Sequence, residues 1–235
     1  MKKILFLSTL VCALTFNAFC QENEQKDPIK IKNENVANIK LGCELAQYGY
    51  ANKSAMALIE AAQILASVPT TELKVEKEER GLEAKADPKQ PKLDFNPVAL
   101  LADAKKFAEG NTTLLTFIDQ TEKAIKEATS QATVNPKRGD SDIPGTRYQV
   151  IAGKSYVTYY FNCVGGYTAE CAVVGSGNTD IDLYVYDSNG NLIVKDEGPT
   201  DVCYAAWVPR WNGTFLIKIV NRGSYSNQCA IASNY

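Results

Sequence analysis

The hydrophobic positions change their spacing part-way along the chain, and this change predicts two differently built halves. Between residues 35 and 132, apolar side chains recur every three or four positions, as on the buried face of an amphipathic helix. After Tyr148, apolar and polar residues alternate in short runs that turn residues separate, which is the pattern of half-buried strands. We therefore predict an α+β protein of two domains, with four helices in two helical hairpins followed by an antiparallel β-sandwich.

Capping residues predict where several of these helices begin and end. Asn96 and Pro97 supply an N-cap and a first-turn proline, and Gly110 occupies the position after the last turn of the same helix. Asn111 caps the following helix, and Asn52 is the predicted N-cap of an earlier one. These positions predict two pairs of helices joined by short turns.

Two stretches rich in charge, proline or glycine interrupt the patterned regions. Residues 70–95 are half charged, with alternating sign, and we expect a mobile loop with a transient helix near residues 72–86. Residues 133–146 form the predicted linker. The helical domain then spans residues 35–132, and the β-sandwich spans residues 147–235.

Residues 1–20 have the layout of a secretory signal peptide, because two lysines precede an apolar run and small residues follow it. Cleavage after Cys20 predicts an exported protein, periplasmic or extracellular, with residues 21–34 as a disordered lead-in. Acylation of Cys20 is the alternative, and it predicts a lipid-anchored protein. No later stretch reaches the roughly 18 apolar residues that a spanning helix needs, so we expect no transmembrane segment in the mature chain.

Composition removes several classes of function from consideration. The 235 residues include 25 basic and 27 acidic side chains, so the net charge is −2 and there is no basic field for a nucleic-acid backbone. The chain has no histidine, which excludes histidine-based nucleophilic catalysis, histidine-ligated zinc and histidine pH switching. We therefore expect no nucleic-acid partner, and we name no catalytic residue.

An exported protein meets an oxidising compartment, so the cysteines after residue 20 are candidates for disulfides. Five remain, which leaves at least one unpaired, and Cys43 is alone in the helical half. The other four allow three pairings. We favour a bond between Cys163 and Cys171, which flank a Gly-Gly turn. The second bond then joins Cys203 to Cys229, although Cys203 also fits a small buried apolar residue in a strand.

Several motifs occur in a fixed order within residues 147–235. They are an aspartate-rich approach to a Leu-Tyr-Val strand, an Asn-Gly hairpin, a proline followed by aromatic-x-Gly-Thr, and a late Val-Asn pair: Asp180, Asp182, Leu183, Tyr184, Val185, Asp187, Asn189, Gly190, Pro209, Trp211, Gly213, Thr214, Phe215, Val220 and Asn221. This segment resembles the bacterial pre-peptidase C-terminal domain. The resemblance implies a small jelly-roll-like sandwich on exported proteins that serves secretion, adhesion or substrate contact and is not itself catalytic.

One group of carboxylates is a candidate metal site. Asp180 and Asp182 are two positions apart and project to the same side of a strand, and Asp187 follows that strand. Together with Asp196 or Asp201 they would supply the oxygen ligands that Ca²⁺ prefers, and calcium is the one cofactor that we consider. The alternative is that Asp180 and Asp187 stabilise turns through hydrogen bonds to the backbone.

The strand-rich half also contains many aromatic residues. Tyr184, Tyr186, Trp207 and Trp211 are candidates for a binding surface, because exposed rings stack on sugars or contact proteins. The alternative is that these side chains fill the two faces of the sheets.

These observations predict a non-enzymatic binding or scaffolding protein whose β-sandwich contacts an envelope protein or a glycan. The alternative is an uncharacterised carboxylate-dependent hydrolase that acts on glycans, because two acids can meet in space without a signal in the sequence. A cleft lined by two paired acids would favour the hydrolase. An aromatic or apolar patch without such a pair would favour binding.

Overall fold

The computed structural model describes residues 33–81, 85, 93–131, 143–177 and 179–235. The predicted signal peptide with Cys20, most of the lead-in and most of the linker lie outside these ranges. Within them the chain forms four helices and ten strands.

The four helices lie where the spacing of apolar residues predicts them. They are α1 (Glu34–Asn52), α2 (Ala55–Ser67), α3 (Pro97–Phe107) and α4 (Thr112–Gln131). The predicted caps Asn96 and Asn111 are confirmed, since their side chains accept hydrogen bonds from the first-turn amides of α3 and α4. The predicted cap Asn52 is wrong: it ends α1, and Ser54 caps α2 by accepting from the Ala57 amide at 3.3 Å. No helix in the described ranges is long and apolar enough to cross a bilayer.

The ten strands form two sheets of five. They are β1 (Thr71–Glu72), β2 (Glu76–Arg80), β3 (Gly145–Ile151), β4 (Ser155–Cys163), β5 (Ala169–Val174), β6 (Ile181–Tyr186), β7 (Leu192–Asp196), β8 (Val202–Trp207), β9 (Gly213–Asn221) and β10 (Asn227–Ser233). The first sheet has the order β1-β3-β10-β5-β8, and the second has the order β2-β4-β9-β6-β7. Every pair is antiparallel except β1 with β3, so the predicted α+β fold with an antiparallel β-sandwich is confirmed.

The first eleven residues of the charged segment, 70–80, differ from the sequence prediction of a mobile loop with a transient helix. There β1 pairs with β3, and β2 pairs with β4 over five residues. Backbone hydrogen bonds to the sandwich hold both strands, and Leu73, which lies between them, is buried in the sandwich core. The charged side chains of β2 suit an edge strand, because charge discourages pairing with another chain.

The core of the sandwich lies between the two sheets, where alternate residues of each strand point inward. Its largest fully buried side chains come mainly from the second sheet: Tyr159, Phe161, Ile181, Leu183, Ile217 and Ile219. A second apolar cluster lies on the outer face of the first sheet, where Val174, Ala230 and Ala232 contact the helices. The helices therefore form a third layer against the sandwich.

Helix α1 is anchored to the sandwich at two points. At its start, the Asn33 amide donates to the Glu170 carboxylate at 3.1 Å, and Glu170 is fully buried on β5. The positive end of the helix dipole favours a carboxylate at this position. Further along α1, the Gln47 amide donates to Asp201 Oδ1 at 3.1 Å.

Asp201 and Asn227 form the centre of a buried polar network at this second anchor. Asn227 Nδ2 donates to Asp201 Oδ2 at 3.1 Å and to Thr179 Oγ1 at 2.7 Å. Asn227 Oδ1 accepts from the Ser176 amide at 2.7 Å. The network therefore ties the β5–β6 loop to β10 and, through Asp201, to α1.

We expect the Asn227→Ala substitution to lower the free energy of unfolding by about 3 kcal/mol, because it leaves several buried polar groups without partners. Urea unfolding followed by circular dichroism measures the change. The matched control is Gln228→Ala, a partly exposed neighbour that should change stability by less than about 0.5 kcal/mol. Equal effects of the two substitutions would show that the network does not stabilise the fold.

Candidate functional site

The four aromatic residues predicted to form a binding surface lie in two separate places. Tyr184 and Tyr186 project from β6 onto the outer face of the second sheet, where their rings stack with centroids 6.3 Å apart. Trp207 ends β8, and Trp211 lies in the loop that follows. The sequence prediction therefore combined residues of two separate surfaces into one binding surface.

Hydrogen bonds fix Tyr184 in a charged cluster on the outer face of the second sheet. Its hydroxyl lies 2.6 Å from Glu197 Oε1 and 3.0 Å from Asp182 Oδ2, and it donates to one of them at a time. Arg222 Nη2 donates to the same hydroxyl at 2.8 Å, and Arg222 Nε donates to Asp182 Oδ2. Burial is the main cause that raises the pKa of Tyr184, and the bonds to the two carboxylates add to it. The tyrosine therefore stays neutral, and its hydroxyl lies between the two acids.

The electrostatics of Glu197 do not suit the role of a general acid. The hydrogen bond from Lys195 and then that from Tyr184 hold the pKa of Glu197 below its usual range. A general acid requires a pKa raised toward neutrality, which is the opposite direction. Asp182 forms an ion pair with Arg222.

The three aspartates of the candidate calcium site are not brought together. Asp180 precedes β6 and Asp187 follows it, so about 20 Å of strand separates them. Asp187 Oδ1 accepts from the Asn189 and Asn191 amides, each at 2.9 Å, which is the turn-stabilising role that was the alternative interpretation. Among the described residues, no group of three or more acidic, cysteine or histidine side chains could hold a metal ion.

Neither predicted disulfide is present. Cys43, Cys163, Cys171, Cys203 and Cys229 are all free and buried. Cys163 and Cys171 lie on opposite sheets, whose planes pack about 10 Å apart, whereas bonded cysteines have Cα atoms about 4.4–6.8 Å apart. Cys203 and Cys229 lie on β8 and β10, with β5 between them. The alternative interpretation of Cys203 as a buried apolar residue is confirmed.

We expect these five thiols to resist alkylation in the folded protein. Burial raises the pKa of Cys163 and of Cys171 to about 12 and raises the pKa of the other three further, so almost no reactive thiolate forms at about pH 8. Iodoacetamide labelling followed by peptide mass spectrometry, with and without urea, measures the accessibility of each thiol. Rapid native labelling, or a peptide map that contains a Cys163–Cys171 bond, would contradict the structure.

Three loops lie together at one end of the sandwich, because the strands that they connect are antiparallel and paired in register. Cys163 pairs with Gly213 and Tyr186 pairs with Leu216, so the β4–β5 turn, the β6–β7 hairpin and the β8–β9 loop are neighbours. The Gly166 amide donates to the Pro209 carbonyl at 2.7 Å, which joins the first of these to the third. This end of the sandwich is where loops are best placed to contact other molecules.

A cleft of about 370 Å³ opens at this end, and we call it the end cleft. It is lined by Leu192, Ile193, Trp207, Val208, Pro209, Arg210, Trp211 and Phe215. Four of its apolar side chains are about half exposed: Leu192 at 48%, Ile193 at 43%, Val208 at 53% and Trp211 at 48%. Large apolar side chains that are exposed together mark contact sites on soluble proteins.

The polar groups of the end cleft are few. Trp207 is 5% exposed and packs on Phe215, with ring centroids 6.1 Å apart, and its buried indole Nε1 has no hydrogen-bond partner. Arg210 is exposed and is the one charged residue in the lining. The sequence analysis named both tryptophans as candidate binding residues and Pro209 and Phe215 as motif residues, but it missed Leu192, Ile193, Val208 and Arg210. One signal was available for β7, since Leu192, Ile193 and Val194 break the alternation of a half-buried strand.

The end cleft contains both tryptophans of the chain, so tryptophan fluorescence should report on this site alone. We expect acrylamide to quench Trp211 strongly and Trp207 weakly, because the first is half exposed and the second is buried. The single-tryptophan variants Trp211→Phe and Trp207→Phe separate the two signals. Equal quenching in both variants would show that Trp207 is not buried as described.

Comparisons with known proteins do not assign a family. No protein-family model and no curated protein matches this chain. Three similar solved structures are the mitogen of Yersinia pseudotuberculosis, the periplasmic g-type lysozyme inhibitor PliG of Aeromonas hydrophila, and the pre-peptidase C-terminal domain of Bacillus anthracis collagenase. Their identities to this chain are 15%, 14% and 11%, and their TM-scores are 0.31, 0.33 and 0.32. The matches cover 42%, 43% and 37% of this chain and 86%, 90% and 86% of those chains, and at these values they show neither a shared family nor a shared function.

Proposed function

We propose that this chain is an exported, non-enzymatic binding protein that contacts a protein or glycan at the cell envelope through the end cleft. The observation that supports this proposal is the exposure of Leu192, Ile193, Val208 and Trp211 around one concave surface. Burying a side chain of this kind completely would contribute about 1 kcal/mol or more to binding. A partner that covers all four therefore gains several such contributions at one place.

The resemblance to pre-peptidase C-terminal domains agrees with this role. Three residues of the shared motifs, Pro209, Trp211 and Phe215, line the end cleft. The Asn189-Gly190 motif forms the neighbouring hairpin, where Gly190 has a φ of 83° that favours glycine. Export rests on the signal-like residues 1–20, with cleavage after Cys20 rather than a lipid anchor as the proposed route.

The charged cluster around Tyr184 supports binding over catalysis. Its acids are occupied by Arg222, Lys195 and the tyrosine hydroxyl, and they do not line the end cleft. The apolar patch without a pair of acids is the feature that favours a binding protein.

Capture from the envelope fraction of the source cells tests the proposal. We expect the immobilised full chain to retain a partner, and Trp211→Ala to reduce that retention about tenfold or more, because buried tryptophans dominate binding energies. The matched control is Tyr48→Ala, which removes an aromatic side chain that is 58% exposed on α1, away from the end cleft. Retention that is unchanged in Trp211→Ala and in Leu192→Ser would overturn the proposal.

A further inference from the structure

The side chains of the end cleft offer hydrogen-bond donors and no acceptors. The polar side chains in the lining are Trp207, Arg210 and Trp211. Indole and guanidinium groups donate hydrogen bonds and do not accept them. A ligand must therefore bring acceptors, which a carboxylate or a carbonyl provides. A neutral sugar fits less well, because its hydroxyl protons would find no side-chain acceptor in this lining.

The charge of the lining further restricts the class of ligand. Arg210 is the one charged residue in the lining, although the chain as a whole carries a net charge of −2. A guanidinium recognises a carboxylate through paired hydrogen bonds, which makes the contact both strong and directional. The lining therefore matches a ligand that combines apolar surface with a carboxylate.

The strand β7 indicates that this ligand is a segment of a protein. It is the last strand of the second sheet and pairs with β6 on one side. Its first two residues, Leu192 and Ile193, line the end cleft. An extended peptide that adds to the edge of β7 would gain backbone hydrogen bonds and carry a side chain to the cleft.

We propose that the end cleft binds an extended segment of a partner protein in which a bulky apolar side chain neighbours an Asp or Glu. This inference rests on the proposed binding function and specifies the class of its ligand. The apolar side chain covers the exposed surface of Trp211 and Val208. The carboxylate meets Arg210, and the backbone pairs with β7.

Selection from a displayed library of random peptides of about eight residues, with the full chain as bait, tests the ligand class. We expect enrichment of peptides that place an aromatic or branched apolar residue beside Asp or Glu. Binding of the selected peptide should shift tryptophan emission to shorter wavelength, because both tryptophans lie in the cleft. Enrichment of basic or uncharged peptides, or of none, would overturn the inference.

The affinity of the selected peptide for variants tests the contacts. We expect Arg210→Glu to weaken binding about tenfold or more and Arg210→Gln to weaken it less, because reversal adds repulsion to the lost attraction. The matched control is Arg80→Glu, at the opposite edge of the second sheet. Both sites are exposed, and thermal unfolding checks that each variant is folded. Equal binding by Arg210→Glu and Arg80→Glu would overturn the role of Arg210.

Backbone N-methylation of the peptide tests the pairing with β7. In an added strand, alternate amides point toward the edge, so methylation at one set of alternate positions should abolish binding and at the other set should not. Equal effects at all positions would overturn the pairing. If the glycans of the envelope, and no peptide, bind in a Trp211-dependent manner, this inference fails and the proposed function stands. If neither class binds, both fail.

Discussion

The packing of α1 against the first sheet is the constraint on which the rest of the architecture depends. The outer face of that sheet carries small residues such as Ala230 and Ala232, and it would be an exposed apolar surface if the helix were absent. Two buried polar contacts fix the helix in place, from the Asn33 amide to Glu170 at its start and from Gln47 to Asp201 further along. Polar contacts of this kind require a particular geometry, whereas apolar contact alone tolerates sliding. The helix therefore covers the outer face of the first sheet. The second sheet and the end of the sandwich that carries the end cleft remain available for contact with other molecules.

The sequence predicted the elements that bury an apolar face and missed β1 and β2, which are held by backbone pairing and by the single buried side chain of Leu73 between them. The change from helical to alternating spacing located the four helices and the strands of the sandwich. β2 escaped prediction because its five residues, Glu76–Arg80, are all charged and its stability comes from hydrogen bonds to β4. The sequence contained a signal for the inward position of Cys171 and Cys203. Each of them lies two residues from an apolar residue of the core, Val173 and Ala205 respectively, and therefore points to the same side of its strand.

The sequence identified individual residues of the end cleft, but it did not show that they lie together. Trp207 and Trp211 were predicted as binding residues because tryptophan is rare and large. Leu192 and Arg210 are ordinary strand and loop residues, and they meet only because β6, β7 and β9 are paired in one particular register. Register is a property of the whole sheet, so a short window of sequence does not contain it. The same reasoning explains why Tyr184 and Trp207 lie on different surfaces although their sequence neighbourhoods look alike.

The end cleft and the charged cluster around Tyr184 illustrate two uses of polar groups. In the cluster, the Tyr184 hydroxyl, the carboxylates of Asp182 and Glu197 and the Arg222 guanidinium are hydrogen-bonded to one another within the protein. In the end cleft, the guanidinium of Arg210 is exposed and has no acidic side chain beside it in the lining. A surface with unmet donors gains more from a complementary ligand than a surface whose groups are already paired.

The five reduced, buried cysteines have a consequence for how the protein matures. Because the described chain contains no covalent cross-link, its native state forms without an oxidase to make bonds or an isomerase to correct them. Before the chain folds, however, the five thiols are exposed, and an oxidising compartment could join them in non-native pairs that must be reduced before the native state forms. Folding buries the thiols and thereby protects them from further oxidation.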